Sequence, residues 1–247
     1  MADGPLAAFE FLLRNGAVLD YGHKLTMRSV KMYMDGALGS RGAAMLTDYS
    51  DDAGNRGLLL TQETYFREVV EKAVRAGIQV NTHAIGDRAN RIVLEVYEAI
   101  QKQYPGKDWR NRVEHAQIVA LSDIPRFSKN GIIASMQPTH ATSDMPWAQD
   151  RVGIERIKGG YVWQALLKSN AKLALGSDFP VEWVNPMLGF YAAITRQDAE
   201  GNPAQGWFPD QKLSRMEALR GFTLDAAYAA FQENVLGSLE VGKWADF

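Results

Sequence analysis

Five stretches in which polar and apolar residues alternate, each followed by the spacing of an amphipathic helix, limit the folds open to this chain. They span 28–35, 78–83, 112–117, 131–137 and 172–181. After the first, Tyr65, Phe66, Val69, Val70, Ala73 and Val74 recur at helical spacing, with Thr61 placed to cap them. After the second, Ile92, Val93, Val96, Tyr97 and Ile100 do the same. Strand-helix repetition predicts a parallel sheet with helices outside it. Five units do not close a (β/α)8 barrel, which needs eight. Pattern alone leaves two architectures open, part of such a barrel or a complete five-stranded doubly wound domain.

The flanking segments are less regular. A helix is expected over 5–14, ending near Gly16, and further helices over 124–129, 161–169 and 185–195. Ser214-Arg-Met-Glu217 is a capping box that opens a last helix reaching about Phe231. Long loops are expected over 36–60, around Pro138 to Trp147, and over 196–212. Loops of such length in a compact domain are usually functional.

Four of the strands carry a side chain with ligand chemistry at or near the C-terminal end, the end where parallel barrels keep their active sites. These are Lys31, His83, His115 and Asp178. The last lies in Lys172-Leu-Ala-Leu-Gly-Ser-Asp-Phe-Pro-Val181, where small residues share its face and Pro180 stops the strand. Each has a plainer reading: a surface lysine, two core histidines, a turn-capping aspartate. Yet two of only four histidines end successive strands. With no cysteine in the chain, a metal site would draw on His, Asp, Glu or a modified Lys. An inward-facing Lys31 would favour the neutral amine, which can add carbon dioxide to give an anionic carbamate. Glu114 alternates out of phase with His115 and reads as structural. His23, between Gly22 and Lys24, reads as an exposed loop residue.

A net charge of −2 gives no electrostatic reason to expect nucleic acid or a membrane surface. No apolar run approaches the roughly 18 residues of a membrane helix, and a signal-peptide start is missing. A cytoplasmic location is the resulting expectation.

Six motifs, in order along nearly the whole chain, resemble the YtcJ-like branch of the amidohydrolase superfamily. They are Lys31-Met-Tyr-Met-Asp-Gly-Ala-Leu-Gly-Ser-Arg41, Asn81-Thr-His-Ala-Ile-Gly-Asp-Arg88, Arg112-Val-Glu-His-Ala-Gln117, Met136-Gln-Pro-Thr-His-Ala-Thr-Ser-Asp144, Gly176-Ser-Asp-Phe-Pro-Val181 and Gly237-Ser-Leu-Glu-Val-Gly-Lys-Trp-Ala-Asp246. The resemblance implies a hydrolase of C–N bonds that uses metal-activated water, acting on a small amide, cyclic amide or N-acyl compound. It implies a divalent metal, zinc by donor type, with Lys31 as a carbamate, His83, His115 and Asp178 as ligands, and Asp178 as proton acceptor. Arg41, His140 and Asp144 become candidate substrate contacts, with loop salt bridges as the competing reading for them and for Asp87.

The family's first-strand His-x-His pair has no counterpart here. The expectation is therefore a partial (β/α)8 TIM barrel, strands four to eight, over 1–236. The start of a truncated C-terminal β-sandwich is expected over 237–247. Such a piece would be catalytically incomplete alone, hold at most one ion, and form homo-oligomers through its open sheet edges.

Overall fold

The structure, a computed structural model, describes residues 4–22 and 24–244. Helix α1, Gly4–Asn15, ends where Gly16 takes φ 77° and returns its N–H to the Leu12 carbonyl. An antiparallel hairpin follows, β1 (Val18–Tyr21) with β2 (Leu25–Met27), which the sequence reading did not anticipate. His23 lies outside the described residues.

The repeating part runs β3 (Ser29–Tyr33), α2 (Glu63–Arg75), β4 (Gln79–Ala84), α3 (Asp87–Gln103), β5 (Arg112–His115), α4 (Ile124–Lys129) and β6 (Ile133–Met136). It continues through α5 (Pro138–Asp144), α6 (Ala148–Arg156), α7 (Trp163–Lys168), β7 (Lys172–Leu175), α8 (Pro186–Thr195), α9 (Arg215–Phe222) and α10 (Leu224–Ala229). The five later strands form one parallel sheet in the order β3-β4-β5-β6-β7. Among the described residues the sheet does not close, and β3 and β7 are its edges. This is the partial barrel, not the doubly wound alternative.

Register sorts the side chains into rows. Met32, Thr82, Val113, Ala134 and Leu173 are laterally paired and turn toward the helices. All but Met32, on the edge strand, are buried. The stripes of α2 and α3, including Phe66, Val70, Val93 and Tyr97, cover this side. Tyr97 ties helix to sheet: its hydroxyl lies 2.7 Å from Thr82 Oγ1 and donates toward the Val80 and Arg112 carbonyls. Removing that hydroxyl leaves a buried Thr82 without its partner. Tyr97→Phe is expected to cost about 1–3 kcal/mol in urea unfolding.

The opposite face carries the polar rows. Lys31, Asn81, Arg112, Ile133 and Lys172 form one; Tyr33, His83, Glu114, Ser135 and Ala174 form the next toward the C-terminal ends.

Several local expectations need correction. Thr61 does not cap α2; its hydroxyl donates to the Tyr33 carbonyl, and Gln62 is the N-cap. The expected loop from Pro138 is helical, because Pro138 fits the first turn of α5, where its missing N–H costs nothing. The last helix is two, broken at Thr223 (φ −122°, ψ −87°). The capping box at Ser214 and Glu217 forms in both directions. The strand near Asp178 stops at Leu175, short of Pro180. Residues 237–244 form no strand, since among the described residues no sheet edge meets them. No helix among the described residues is long and apolar enough to cross a membrane.

Candidate active site

At the C-terminal ends of the sheet lies a cavity of about 490 Å³, walled by Lys31, Tyr33, His83 and His115 from the strands. His140, Asp144, Trp147, Asp178 and Glu182 close it from the loops and helices beyond. Three imidazoles stand in succession. The His83 and His115 rings are 4.6 Å apart edge to face, and His140 stacks on His115 at 5.7 Å.

His83 follows the strand pleat, whereas His115 does not. In register His83 sits beside Glu114, and His115 beside Ala84. His115 should therefore point to the helix side. A left-handed backbone, φ 76° at His115 and 43° at Ala116, ends β5 and turns the ring into the cavity. Glu114 keeps the polar face and accepts from Arg112 at 2.7 Å, in agreement with a structural role.

Burial sets the charge state of these rings. It pushes His83 down to about 4, with the neighbouring His115 acting in the same sense and the Gly36 carbonyl against it. Burial likewise holds His115 at about 4, opposed by its bond to Gln137. His140 is lowered too, by burial, against Glu182 and Asp178. All three are neutral at pH 7 and can lend a lone pair. Gln137 Oε1 lies 2.8 Å from His115 Nδ1. An amide oxygen only accepts, so the proton sits on Nδ1 and Nε2 is the donor atom, the arrangement seen behind metal-binding histidines.

Lys31 and Asp178 stand differently from expectation. Lys31 is exposed rather than enclosed, because β3 is an edge strand, and its Nζ lies 4.8 Å above the Tyr33 ring. It is one row below His83, beside Asn81. Asp178 follows β7 in a left-handed conformation (φ 59°) and is exposed at the rim, close enough to act on His83 and His140. Among the described residues no three His, Asp or Glu side chains converge into a complete metal cage. The donors fit one end of such a site: two neutral, oriented imidazoles, with the buried His140 Nε2 unpartnered nearby.

Of the three candidate substrate contacts, His140 and Asp144 line the cavity and Arg41 does not. Arg41 is bidentate to Asp51 at 3.0 and 2.9 Å, and Arg151 of α6 meets the same carboxylate. The three residues clamp the 36–60 loop against α6. Asp87 also serves structure, accepting from the Leu46 N–H at 2.8 Å.

Asp144 is held by Gln117 Nε2 (2.8 Å) and the Tyr161 hydroxyl (2.6 Å), both on Oδ2. Burial raises its pKa to about 6 against these bonds. A carboxyl whose folded pKa lies above its unfolded value loses stability as pH rises through the folded value. The Asp144→Asn variant keeps an oxygen for both donors and escapes that loss. It is expected to gain on wild type by about 1–3 kcal/mol between roughly pH 4 and pH 7 in urea titrations.

Two residues of this region have no sequence signal. Asn90, fully buried on α3, donates toward the Ala84, Ile85, Gly86 and Ile118 carbonyls and so fixes the turns after β4 and β5. Asp35, also fully buried, accepts backbone N–H groups from Ala44, Ile85 and Gly86.

Known proteins resemble this chain in sequence and in fold. A putative amidohydrolase of Bacillus subtilis, YtcJ, is 32% identical over 219 residues, 89% of this chain and 41% of that protein. Protein LONG AFTER FAR-RED 3 of Arabidopsis thaliana is 39% identical over 236 residues, 95% of this chain and 40% of its own length. The crystal structure of an uncharacterized metal-dependent hydrolase from Pyrococcus horikoshii superposes with TM-score 0.85 at 31% identity, over 98% of this chain and 47% of that one. The chain thus spans less than half the length of each. Residues 7–247 match the pattern of the amidohydrolase family. By sequence and by fold, this chain belongs to the amidohydrolase family.

Proposed function

We propose that this chain supplies the strand-four-to-eight part of a metal-dependent hydrolase acting on C–N bonds of a small amide, cyclic amide or N-acyl compound. The observation that carries the reading is the pair of buried, neutral imidazoles, His83 and His115, facing each other at the C-terminal ends of parallel strands. The ion would be held by these two with Asp178 and a carbamylated Lys31. Its donor set favours zinc. When bound, such an ion brings water toward a pKa of about 7 and polarises the scissile carbonyl.

The chain's own groups do the rest. Gln137 fixes the His115 ring so that one nitrogen faces the cavity. Asp178, exposed at the rim, takes the proton of the attacking water and passes it to the departing amine. Asp144 has Oδ2 occupied by two donors, which leaves Oδ1 to accept an N–H or O–H of the substrate. His140 stands beside it, and Trp147 presents an aromatic wall. Assayed alone with zinc or cobalt over a panel of N-acyl, linear and cyclic amides, the chain should show little or no turnover; joined to an upstream segment carrying His-x-His and three βα units, it should gain turnover that a chelator removes. Metal uptake without turnover on any amide by the joined protein would refute the enzymatic reading.

A second reading has its own observation. Phe179, Val181, Trp183, Val184 and Met187 lie exposed beyond edge strand β7. A catalytically incomplete, self-associating piece would present such a surface. Light scattering tests it: a stable monomer of the 27.4 kDa chain would count against association.

A further inference from the structure

Asp35 stands two residues beyond Tyr33, in phase with the polar face of β3, and its side chain has no exposure to solvent. Burying a carboxylate is costly unless its oxygens are bonded. Here Oδ2 accepts from Ala44 N and Gly86 N, each at 2.8 Å, and Oδ1 accepts from Ile85 N at 3.0 Å. The donors come from two separate segments, the 36–60 loop and the turn after β4. Gly86 permits that approach: a Cβ there would lie 2.0 Å from the Ala44 carbonyl oxygen.

One neighbour is left over. Nε2 of His83 lies 3.5 Å from Asp35 Oδ1, is buried, and has no hydrogen-bond partner. Hydrogen bonds around a reactive site are often long until it is loaded. A neutral imidazole carries one proton; burial raises the Asp35 carboxyl to about 7, and above that pH it is a carboxylate that only accepts. Facing Asp35, the proton belongs on Nε2, and the lone pair on Nδ1.

We propose that Asp35 is the positioning residue of His83: it holds the ring by Nε2 and leaves Nδ1 as the nitrogen offered to the cavity. His115 is fixed in the opposite sense, protonated on Nδ1 by Gln137 and offering Nε2. The two rings then meet a common ligand through different nitrogens. Asp35 also couples the ring to the long loop, since the same carboxylate holds Ala44. Only the metal-binding arm of the test below rests on the reading of His83 as a metal donor.

Long-range ¹H–¹⁵N spectra of the metal-free full chain in mildly alkaline buffer report each imidazole's tautomer directly. His83 is assigned by the signal lost in His83→Gln. The expected result is His83 protonated on Nε2 and His115 on Nδ1. In Asp35→Asn the amide oxygen goes to the two-donor position, and the amide NH₂ turns toward His83 with loss of the Ile85 N–H bond. The His83 proton then moves to Nδ1, while the far-UV spectrum stays unchanged. Cobalt affinity should fall by about 10–100-fold in the same variant. Nδ1 protonation of His83 in the wild type would overturn the proposal, as would an unchanged tautomer in a folded Asp35→Asn. If that variant does not fold, the wild-type spectrum decides alone. If wild type binds no cobalt yet His83 holds its proton on Nε2, positioning stands and the metal reading falls.

Discussion

A preparation of this chain dialysed against a mild chelator is expected to retain at most one divalent ion, and the His83→Ala, His115→Ala double variant none. The two imidazoles face each other at 4.6 Å and are neutral well below pH 7, so no proton competes for them in ordinary buffers. Their partners are weaker. Lys31 ligates only as a carbamate and is exposed on an edge strand, and Asp178 is exposed at the rim. Zinc needs about three protein donors to stay bound. Each single histidine variant should therefore lower affinity by two orders of magnitude or more, which elemental analysis and cobalt titration both read. Two ions per chain, or an ion that survives loss of both rings, would place the site elsewhere. A folded sample without any ion would mean that the carbamate does not form on this chain.

How far the sequence foretold this site depended on distance along the chain. The five strands were legible because each alternates cleanly and is followed by a helical stripe, a local property. His83 was legible for the same reason, and so was the face that carries Lys31. The capping box at Ser214 was legible because its two bonds join residues three apart. His115 was placed at the cavity end of its strand for a partly mistaken reason. Alternation assigns the polar face to Glu114, and only the left-handed turn at His115 and Ala116 brings the ring back. No propensity reports a positive φ at a histidine. The exposure of Lys31 depends on which strand is at the edge, a property of the whole sheet. Arg41 could not be separated from the substrate contacts by type alone, since its partner, Asp51, is in the same loop and the other arginine on that carboxylate, Arg151, lies 100 residues beyond Asp51. Asp35 was unreadable as more than a strand-end polar residue, because its bonds cross to residues 9 to 51 positions distant. The helix at Pro138 did have a signal, proline in a first turn, outweighed by its Thr- and Ser-rich composition.

The largest effect on turnover is expected at Asp178. The residue leaves β7 through Gly176 and Ser177, adopts φ 59°, and is held there by the turn from the Val181 N–H to its own carbonyl at 2.9 Å. That conformation places an exposed carboxylate at the cavity rim, where its charge acts on His83 and His140 together. Asparagine has the same shape and keeps one oxygen for a ligand or a hydrogen bond, but it cannot take a proton. In any preparation with metal-dependent amide turnover, Asp178→Asn should lower kcat by about 10²–10⁴. Metal content and KM should change far less, because the imidazoles and the Asp144 wall are untouched. A uniform rise in KM would mark Asp178 as a substrate contact instead. Retained kcat would transfer the proton-accepting role to another carboxylate of the cavity. Glu182 is the nearer choice, because it lies on the same rim segment as Asp178 and its Oε1 takes one donor, the Ser143 hydroxyl, whereas Asp144 Oδ2 takes two, Gln117 and Tyr161.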